Sequence, residues 1–541
     1  MEKIWIPNNY ESSNLFQFEK FLEKKYRLSF SNYNELHEWS IKNLESFWES
    51  ISEFYKILFD KPYEFILNRQ IPFYKSKWFE GAKLSYVGHI IRHAKKNHTA
   101  IIYKNELNDI VEISWNSLLE KVKEVRGWLI ENNVKKGDVV VGYLLNHPDT
   151  IASFMAVNSL GAVWSCCSPD FGIESIANRF EQLKPGILLA HKRYSYNGKD
   201  YIQEKKIKEL QIRLPSIKKT IVFDSTFDSW NLNSNYWIDF EFVSVKFDHP
   251  IWVLFSSGTT GKPKAITHGT GGMLLEQYKS HSLHQNIMNG DRFFWNTTTG
   301  WMMWNYAIGS FLCGATLCLY DGSANFPDIG VQWRFAKDAK INHFGNGSPM
   351  FIASMKQNCK DVSNENLKFI KTIGATGSPL SVEAFKWLQK KLPSTQIISL
   401  SGGTDVCSAF IGGCPKLPVY AGFLQCNMLG ASIKAWDENR KSIKGKTGEL
   451  VITEPLPSMP VFFWGDENFK KYNDSYFAED QEVWTHGDWI FIDELRGVLM
   501  QGRSDATLNR NGIRIGTSEI YSVLDGIKEI KDSLIIDLNI D

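Results

Sequence analysis

Phe255-Ser256-Ser257-Gly258-Thr259-Thr260-Gly261-Lys262-Pro263-Lys264 leaves few folds open to this chain. It is entered from the apolar run Ile251 to Phe255 and left toward the glycine-rich Thr267-His268-Gly269-Thr270-Gly271-Gly272. A short apolar run bounded by turn residues reads as a buried strand, here running into a loop of small residues. Glycines and short hydroxyl side chains let backbone N–H groups converge on an anion, the hydroxyls add donors, and lysine supplies a mobile point charge. Such a loop is suited to hold phosphates. It is not a Walker A loop: two residues separate Gly258 from Gly261, and Pro263 rather than Ser or Thr follows Lys262. A surface turn would share this composition, so the rest of the chain decides between the two.

At 541 residues the chain exceeds one ordinary core, and two or three packed subdomains are expected. Its 43% hydrophobic and 22% charged residues are those of a soluble globular protein. The 61 basic residues nearly balance 60 acidic ones and are scattered, so nucleic acid is not expected as a partner. The N-terminal Met1-Glu2-Lys3-Ile4-Trp5-Ile6-Pro7 lacks the apolar core of a secretory signal. The uncharged span Phe293 to Tyr320 is long enough for a membrane helix, but Asn296, Thr297-Thr298-Thr299, Asn305 and several glycines interrupt it. Buried strand-helix core is expected there, and no membrane association. The eight cysteines, including the pair Cys166-Cys167, show no Cys-x-x-Cys spacing, and no paired His cluster accompanies them. Neither zinc nor a disulfide framework is expected, which suits a reducing cytoplasm.

Residues from about 12 to 68 are aromatic and charged with helical periodicity, as in Leu36, Trp39, Ser40, Leu44, Phe47, Trp48 and Ile51, where positions recur at three and four. This is an amphipathic helical arm whose apolar face is expected to pack on the main body. From Thr99 to Leu189 short apolar runs alternate with helical stretches: strand Val139 to Leu144, helix Asp149 to Leu160, strand Val163 to Cys166. A second such run extends from Ile251 to about Leu400. The alternation predicts an α/β fold with two parallel-rich sheets flanked by helices. After Leu417 the texture changes to shorter strands, Ala431 to Trp436 and Gly448 to Thr453 about a turn at Asp437 to Lys446, which predicts a small β-rich, barrel-like subdomain.

The nine residues Ser256 to Lys264 resemble the phosphate-gripping loop of the adenylate-forming superfamily, which includes acyl-CoA synthetases, luciferases and peptide-synthetase adenylation domains. Tyr33-Asn34-Glu35-Leu36-His37-Glu38-Trp39-Ser40 with Phe47-Trp48 resembles the N-terminal extension of short-chain acyl-CoA synthetases, and Lys77 to Tyr86 resembles the entry to their first full subdomain. Gly445-Lys446-Thr447-Gly448-Glu449-Leu450 is similar to a turn-and-strand motif of their β-rich subdomain. Trp164-Ser165-Cys166-Cys167-Ser168-Pro169-Asp170-Phe171-Gly172 is similar to acetoacetyl-CoA synthetases in particular. The resemblance implies an N-terminal helical arm at 1–75, an adenylation body at 76–504 whose β-rich part begins at 417, and the start of a C-terminal domain at 505–541.

It also implies a site. Ser256, Ser257, Gly258, Thr259, Thr260, Gly261, Lys262 and Lys264 would grip the β- and γ-phosphates of ATP, and the turn Gly374-Ala375-Thr376-Gly377-Ser378-Pro379 would border the adenine. Ser401-Gly402-Gly403-Thr404-Asp405 stands where the superfamily has Thr-Glu. Asp405 would hold Mg²⁺ with a carboxylate one methylene shorter than usual, and Thr404 would donate to the α-phosphate. In Trp484-Thr485-His486-Gly487-Asp488-Trp489 and Gly502-Arg503-Ser504-Asp505, Asp488 matches the acceptor of the ribose hydroxyls, Arg503 a ribose or phosphate contact, and Asp505 the hinge. Arg514 joins the nucleotide set, and Lys199 would offer a charge to the phosphates of coenzyme A. Thr259, Lys262, Thr404 and Asp405 carry the catalytic expectation. Gly402 matches a tryptophan that closes the pocket of acetate-activating relatives. Its absence is expected to open room for a longer acid beside Trp301, Met302, Met303 and Thr376, and Gly402→Trp to favour a smaller one.

His268 and His486 receive no catalytic role, because a carboxylate is already ionised and pyrophosphate already leaves well; positioning and charge neutralisation suffice. The implied activity is ATP-dependent formation of acetoacetyl-CoA through an acyl-AMP, with ATP, acetoacetate and coenzyme A as small-molecule partners. A ligase for acetate or propionate, or a nucleotide-binding module without turnover, are the alternatives, and oligomeric state is not read from the sequence. The chain ends thirty-six residues past Asp505, after the hairpin and helix start Asn511 to Ile520, so the family's later catalytic lysine has no counterpart in it. ATP binding with slow turnover is the corresponding expectation.

Overall fold

A computed structural model describes residues 2–234, 239, 241–256, 262–504, 507–510 and 513–516. Two seven-stranded sheets form the body. The first runs Lys219–Phe223, Ile187–His191, Val139–Tyr143, Val163–Cys167, Pro250–Ser256, Lys264–Gly269 and Phe462–Phe463, the last two strands joining antiparallel to a parallel set. The second runs Gln396–Ser399, Thr372–Thr376, His343–Gly347, Arg292–Trp295, Thr316–Asp321, Thr99–Asn105 and Val111–Ser114, parallel but for its last pair. The strands Val139–Tyr143, Val163–Cys167 and Ile187–His191 are buried along their whole length, as expected of strands covered by helices on both faces. The crossover helix Pro148–Ser159 is likewise buried throughout.

The arm is three helices, Asn14–Tyr26, Tyr33–Lys42 and Leu44–Phe54. Ser13 and Asn32 cap the first two by accepting from the N–H groups of Phe16 and Glu35. The face carrying Leu15, Phe18, Leu22, Leu36, Phe47, Trp48 and Ile51 is fully buried in the largest core cluster. Ahead of the helices, strand Lys3–Trp5 pairs antiparallel with Val419–Tyr420, which ties the start of the chain to the far end of the body.

The β-rich part is a five-stranded antiparallel sheet in the order Ser442–Ile443, Ile433–Trp436, Thr447–Ile452, Trp484–Asp493, Gly497–Arg503. Its first strand lies inside the segment expected to be only a turn. A hairpin of Thr507–Arg510 with Ile513–Gly516 follows. The uncharged span breaks into strand Arg292–Trp295, helix Met302–Ile308 and strand Thr316–Asp321, all mostly buried. Among the described residues no helix is long and apolar enough to cross a membrane. The eight cysteines are free thiols.

Candidate functional site

The loop that organises the sequence joins two antiparallel strands, with Ser256 opposite Lys264. Ser257, Gly258, Thr259, Thr260 and Gly261 lie outside the described residues. The glycines that follow serve packing. A Cβ at Gly271 would stand 2.1 Å from the Phe247 ring, and one at Gly272 would stand 1.9 Å from the Pro457 carbonyl oxygen. The helix Thr270–Tyr278 can therefore sit closely on both only because those side chains are missing. Lys262 Nζ donates to Glu181 Oε2 at 2.9 Å, both side chains being largely exposed.

Lys264 turns inward. Its Nζ lies 4.0 Å from Asp405 Oδ1 and donates to the Tyr476 hydroxyl at 3.3 Å. Asp405 sits in the turn between strands Ser401–Gly403 and Ser408–Gly412 and is only 3% exposed. Its carbonyl oxygen accepts from His268 Nε2 at 3.0 Å. Burial holds the His268 imidazole neutral, its pKa pushed down to about 4, so the ring acts as a fixed donor to the turn that carries Thr404 and Asp405. The Asp405 carboxylate offers the hard oxygen ligand that a divalent cation such as Mg²⁺ would take with phosphate oxygens completing its shell, while the neighbouring ammonium suits the phosphates themselves.

The second cluster is built on the hairpin Trp484–Asp493 and Gly497–Arg503, whose register sets Asp488 opposite Arg503. The Arg503 guanidinium lies 3.4 Å from Asp488 Oδ1, and His486 Nε2 lies 3.3 Å from Oδ2. Trp484 Nε1 donates to His486 Nδ1 at 3.2 Å, which leaves the ring proton on Nε2. The Gly487 N–H donates to Glu449 Oε1 at 3.0 Å. Burial raises the Glu449 pKa.

The adenine-bordering turn follows strand Thr372–Thr376. Gly377, at φ +87°, makes the turn, and the Ser378 carbonyl accepts from Ser348 Oγ at 2.6 Å, with Pro379 next. The space over Gly374 is not open to a flat ligand, since a Cβ there would stand 2.6 Å from the Trp295 indole, which also fills the space over Gly345. Trp301 caps the helix that carries the buried Met302 and Met303, and Thr376 Oγ1 donates to the Leu400 carbonyl at 2.8 Å.

Gly402 corrects an expectation. It lies in strand Ser401–Gly403 facing the neighbouring strand, and a Cβ would come within 2.0 Å of the Ser408 carbonyl oxygen. A tryptophan there would displace that strand rather than fill a pocket, so Gly402→Trp does not test acid size. Lys199 begins an exposed strand paired with Arg193–Tyr196. The side chain of Arg514 and the whole of Asp505 lie outside the described residues.

Two arrangements were not visible in the sequence. Tyr476 contacts Asp405 across a separation of 71 positions. His147, Asp149 and His191 are buried together, with their ligand atoms within 4.8 Å of one another. His147 Nδ1 accepts from the Asp149 N–H at 3.2 Å and His191 Nδ1 from the Leu145 N–H at 3.1 Å, while Trp230 Nε1 donates to Asp149 Oδ1 at 2.9 Å. A metal-ligating imidazole gives its other N–H to an acceptor, whereas these rings spend that nitrogen's lone pair on the backbone. The cluster is a hydrogen-bonded polar core. Burial would raise the Asp149 pKa, but the two histidines outweigh it and hold the carboxyl well below its ordinary range.

Comparison with known proteins bears on this geometry. The AMP-binding enzyme family matches residues 91–459, and the acetyl-coenzyme A synthetase N-terminus matches residues 33–89. The acetoacetyl-CoA synthetase of Mus musculus is 34% identical over 559 residues, covering 98% of this chain and 83% of the mouse protein. The acetoacetyl-coenzyme A synthetase of Rhizobium meliloti (strain 1021) is 34% identical over 548 residues, covering 98% and 84%. The solved acetoacetyl-CoA synthetase from Streptomyces lividans superposes with a TM-score of 0.89 at 36% identity, covering 100% of this chain and 85% of that one.

Proposed function

Because this chain belongs to the AMP-binding enzyme family, we propose that it is an AMP-forming acid-CoA ligase that activates acetoacetate: its carboxylate displaces pyrophosphate from the α-phosphorus of ATP, and the coenzyme A thiol then displaces AMP. The observation that carries this reading is similarity to acetoacetyl-CoA synthetases running through 98% of the chain. The two charged clusters support it. Lys264 and Asp405 suit the triphosphate and its Mg²⁺, and Asp488 with Arg503 suits the ribose. Lys262 and the loop 256–261 complete the phosphate grip, Thr404 donates to the α-phosphate, and the turn Gly377-Ser378-Pro379 with Gly403 borders the nucleotide. Bound Mg²⁺ supplies charge neutralisation at the phosphates. The protein's part is to hold Asp405 in place through the His268 donor and to keep Lys264 and Asp405 largely out of water, where such charges act at lower dielectric. No described side chain needs to take a proton, since the attacking carboxylate is already ionised. Eight free cysteines and the lack of a long apolar helix among the described residues support a cytoplasmic place for the enzyme.

Acid-dependent pyrophosphate exchange into ATP, measured with acetoacetate, acetate and propionate, tests this. The expected order puts acetoacetate first by at least about tenfold, the scale of discrimination that pocket contacts give. Acetate used as well as acetoacetate would overturn the choice of acid. ATP binding without exchange on any acid would favour the nucleotide-binding module instead.

A further inference from the structure

Asp405, Lys264 and Tyr476 converge from three separated elements: a turn between short strands, the strand after the phosphate loop, and helix Lys470–Tyr476. The Tyr476 phenol donates to Asp405 Oδ1. Lys264 donates to the same phenol oxygen, and its Nζ stands 4.7 Å from the centre of the ring. Tyr476 and Asp405 are 4% and 3% exposed, so the contact is made away from bulk water. The ring of Tyr476 has little freedom, because it stacks on Trp484 at a centroid separation of 3.7 Å with 13° between planes. Trp484 in turn holds His486, which faces Asp488, and Asp488 faces Arg503. An unbroken line of contacts thus joins the carboxylate at the phosphate end to the carboxylate at the ribose end.

We propose that Tyr476 is a positioning residue for Asp405: by engaging Oδ1 from a ring clamped on Trp484, it limits the carboxylate to one orientation, the one in which Asp405 serves the cation that accompanies the triphosphate. The inference rests on the nucleotide reading above. A physical need supports it. An aspartate carries its carboxylate on a single methylene and has little reach to make up a misplacement, so its orientation is best imposed by a neighbour. A phenol is suited to that task, because it donates one hydrogen bond to a carboxylate and leaves the negative charge in place.

Tyr476→Phe keeps the ring and its stack on Trp484 and removes only the hydroxyl. Calorimetry on the 541-residue chain would compare AMP without metal, ATP without metal and ATP with Mg²⁺. In Tyr476→Phe the gain in ATP affinity on adding Mg²⁺ should shrink on the order of tenfold, the usual weight of one hydrogen bond to a charged group, while AMP affinity stays within about twofold. In an Asp405→Asn background the same substitution should have no further effect, because the hydroxyl acts through the carboxylate. An unchanged Mg²⁺ gain would overturn the proposal. So would an increased gain, which would make the phenol a competitor of the cation, and so would an equal loss in the Asp405→Asn background. Failure of the unsubstituted chain to bind ATP would overturn the nucleotide reading and this inference with it, whereas wild-type binding with no change in Tyr476→Phe would sink the inference alone.

Discussion

Lys262 and Asp488 carry opposite expectations for the two nucleotides. Among the described residues Lys262 is paired with Glu181, and that pair is mostly solvated. Lys262→Ala should therefore leave the urea unfolding midpoint where it is, since exposed pairs contribute about 0–1 kcal/mol. If Lys262 serves the triphosphate, the substitution should lower ATP affinity on the order of tenfold and AMP affinity hardly at all. Equal losses measured by calorimetry would show that it does not grip the β- and γ-phosphates. Asp488 is 7% exposed and faces both Arg503 and His486. Asp488→Asn should weaken ATP and AMP alike by about 10- to 100-fold, the value of one or two hydrogen bonds to a charged acceptor, because the ribose is common to both. A loss confined to ATP would move Asp488 to the phosphate end.

At the scale of elements, missing side chains set how closely strands and helices approach. Gly272→Ala would drive a Cβ to 1.9 Å from the Pro457 carbonyl oxygen, whereas a Cβ at Gly186 meets nothing within 4 Å. The first should cost about 1–3 kcal/mol by overpacking, and the second should stay within about 0.5 kcal/mol. Urea midpoints of the two variants give the comparison, and equal shifts would mean that the helix Thr270–Tyr278 yields without strain. Gly402→Trp belongs with Gly272→Ala: the expected result is loss of stability, not a change of acid. These distances explain what was legible in the sequence. The apolar runs at 139–144 and 163–166 and the three- and four-residue spacing of the arm announce their elements, because period and burial are local properties. Lys3–Trp5 pairing with Val419–Tyr420, the Trp295 indole filling the room over Gly374, and Tyr476 meeting Asp405 depend on residues that only the finished fold brings together. The proposed site was readable as short motifs, but not the groups that hold those motifs in place.

Over the whole molecule, buried histidines set the response to acid. Burial pushes the pKa of His89, His268 and His281 down to about 4 and that of His284 to about 3. Hydrogen bonding shows why neutrality is required of two of them. His284 Nδ1 faces the Gly413 carbonyl at 2.7 Å while Nε2 accepts from the Leu429 N–H at 3.1 Å. His89 Nδ1 faces the Ser85 carbonyl at 2.6 Å while Nε2 accepts from the Leu58 N–H at 2.9 Å. A second proton would set donor against donor in both places. In the unfolded chain each ring protonates near pH 6.5, so between that pH and about 4 the unfolded state binds more protons than the folded one. The stability these neutral rings contribute is complete above pH 6.5 and is lost as pH falls toward 4. At pH 5 each represents about 2 kcal/mol by linkage, roughly 8 for these four. Asp321 opposes them: burial raises its pKa to about 6, so acid relieves its charge, but from pH 7 to 5 that returns only about 1 kcal/mol. The histidines win. The urea midpoint should fall steeply from pH 7 to 5, and His284→Gln, though less stable at pH 7, should show a shallower fall, because one proton-linked group has been removed. A midpoint constant across that range, or a slope unchanged in His284→Gln, would mean that these rings do not link folding to protonation.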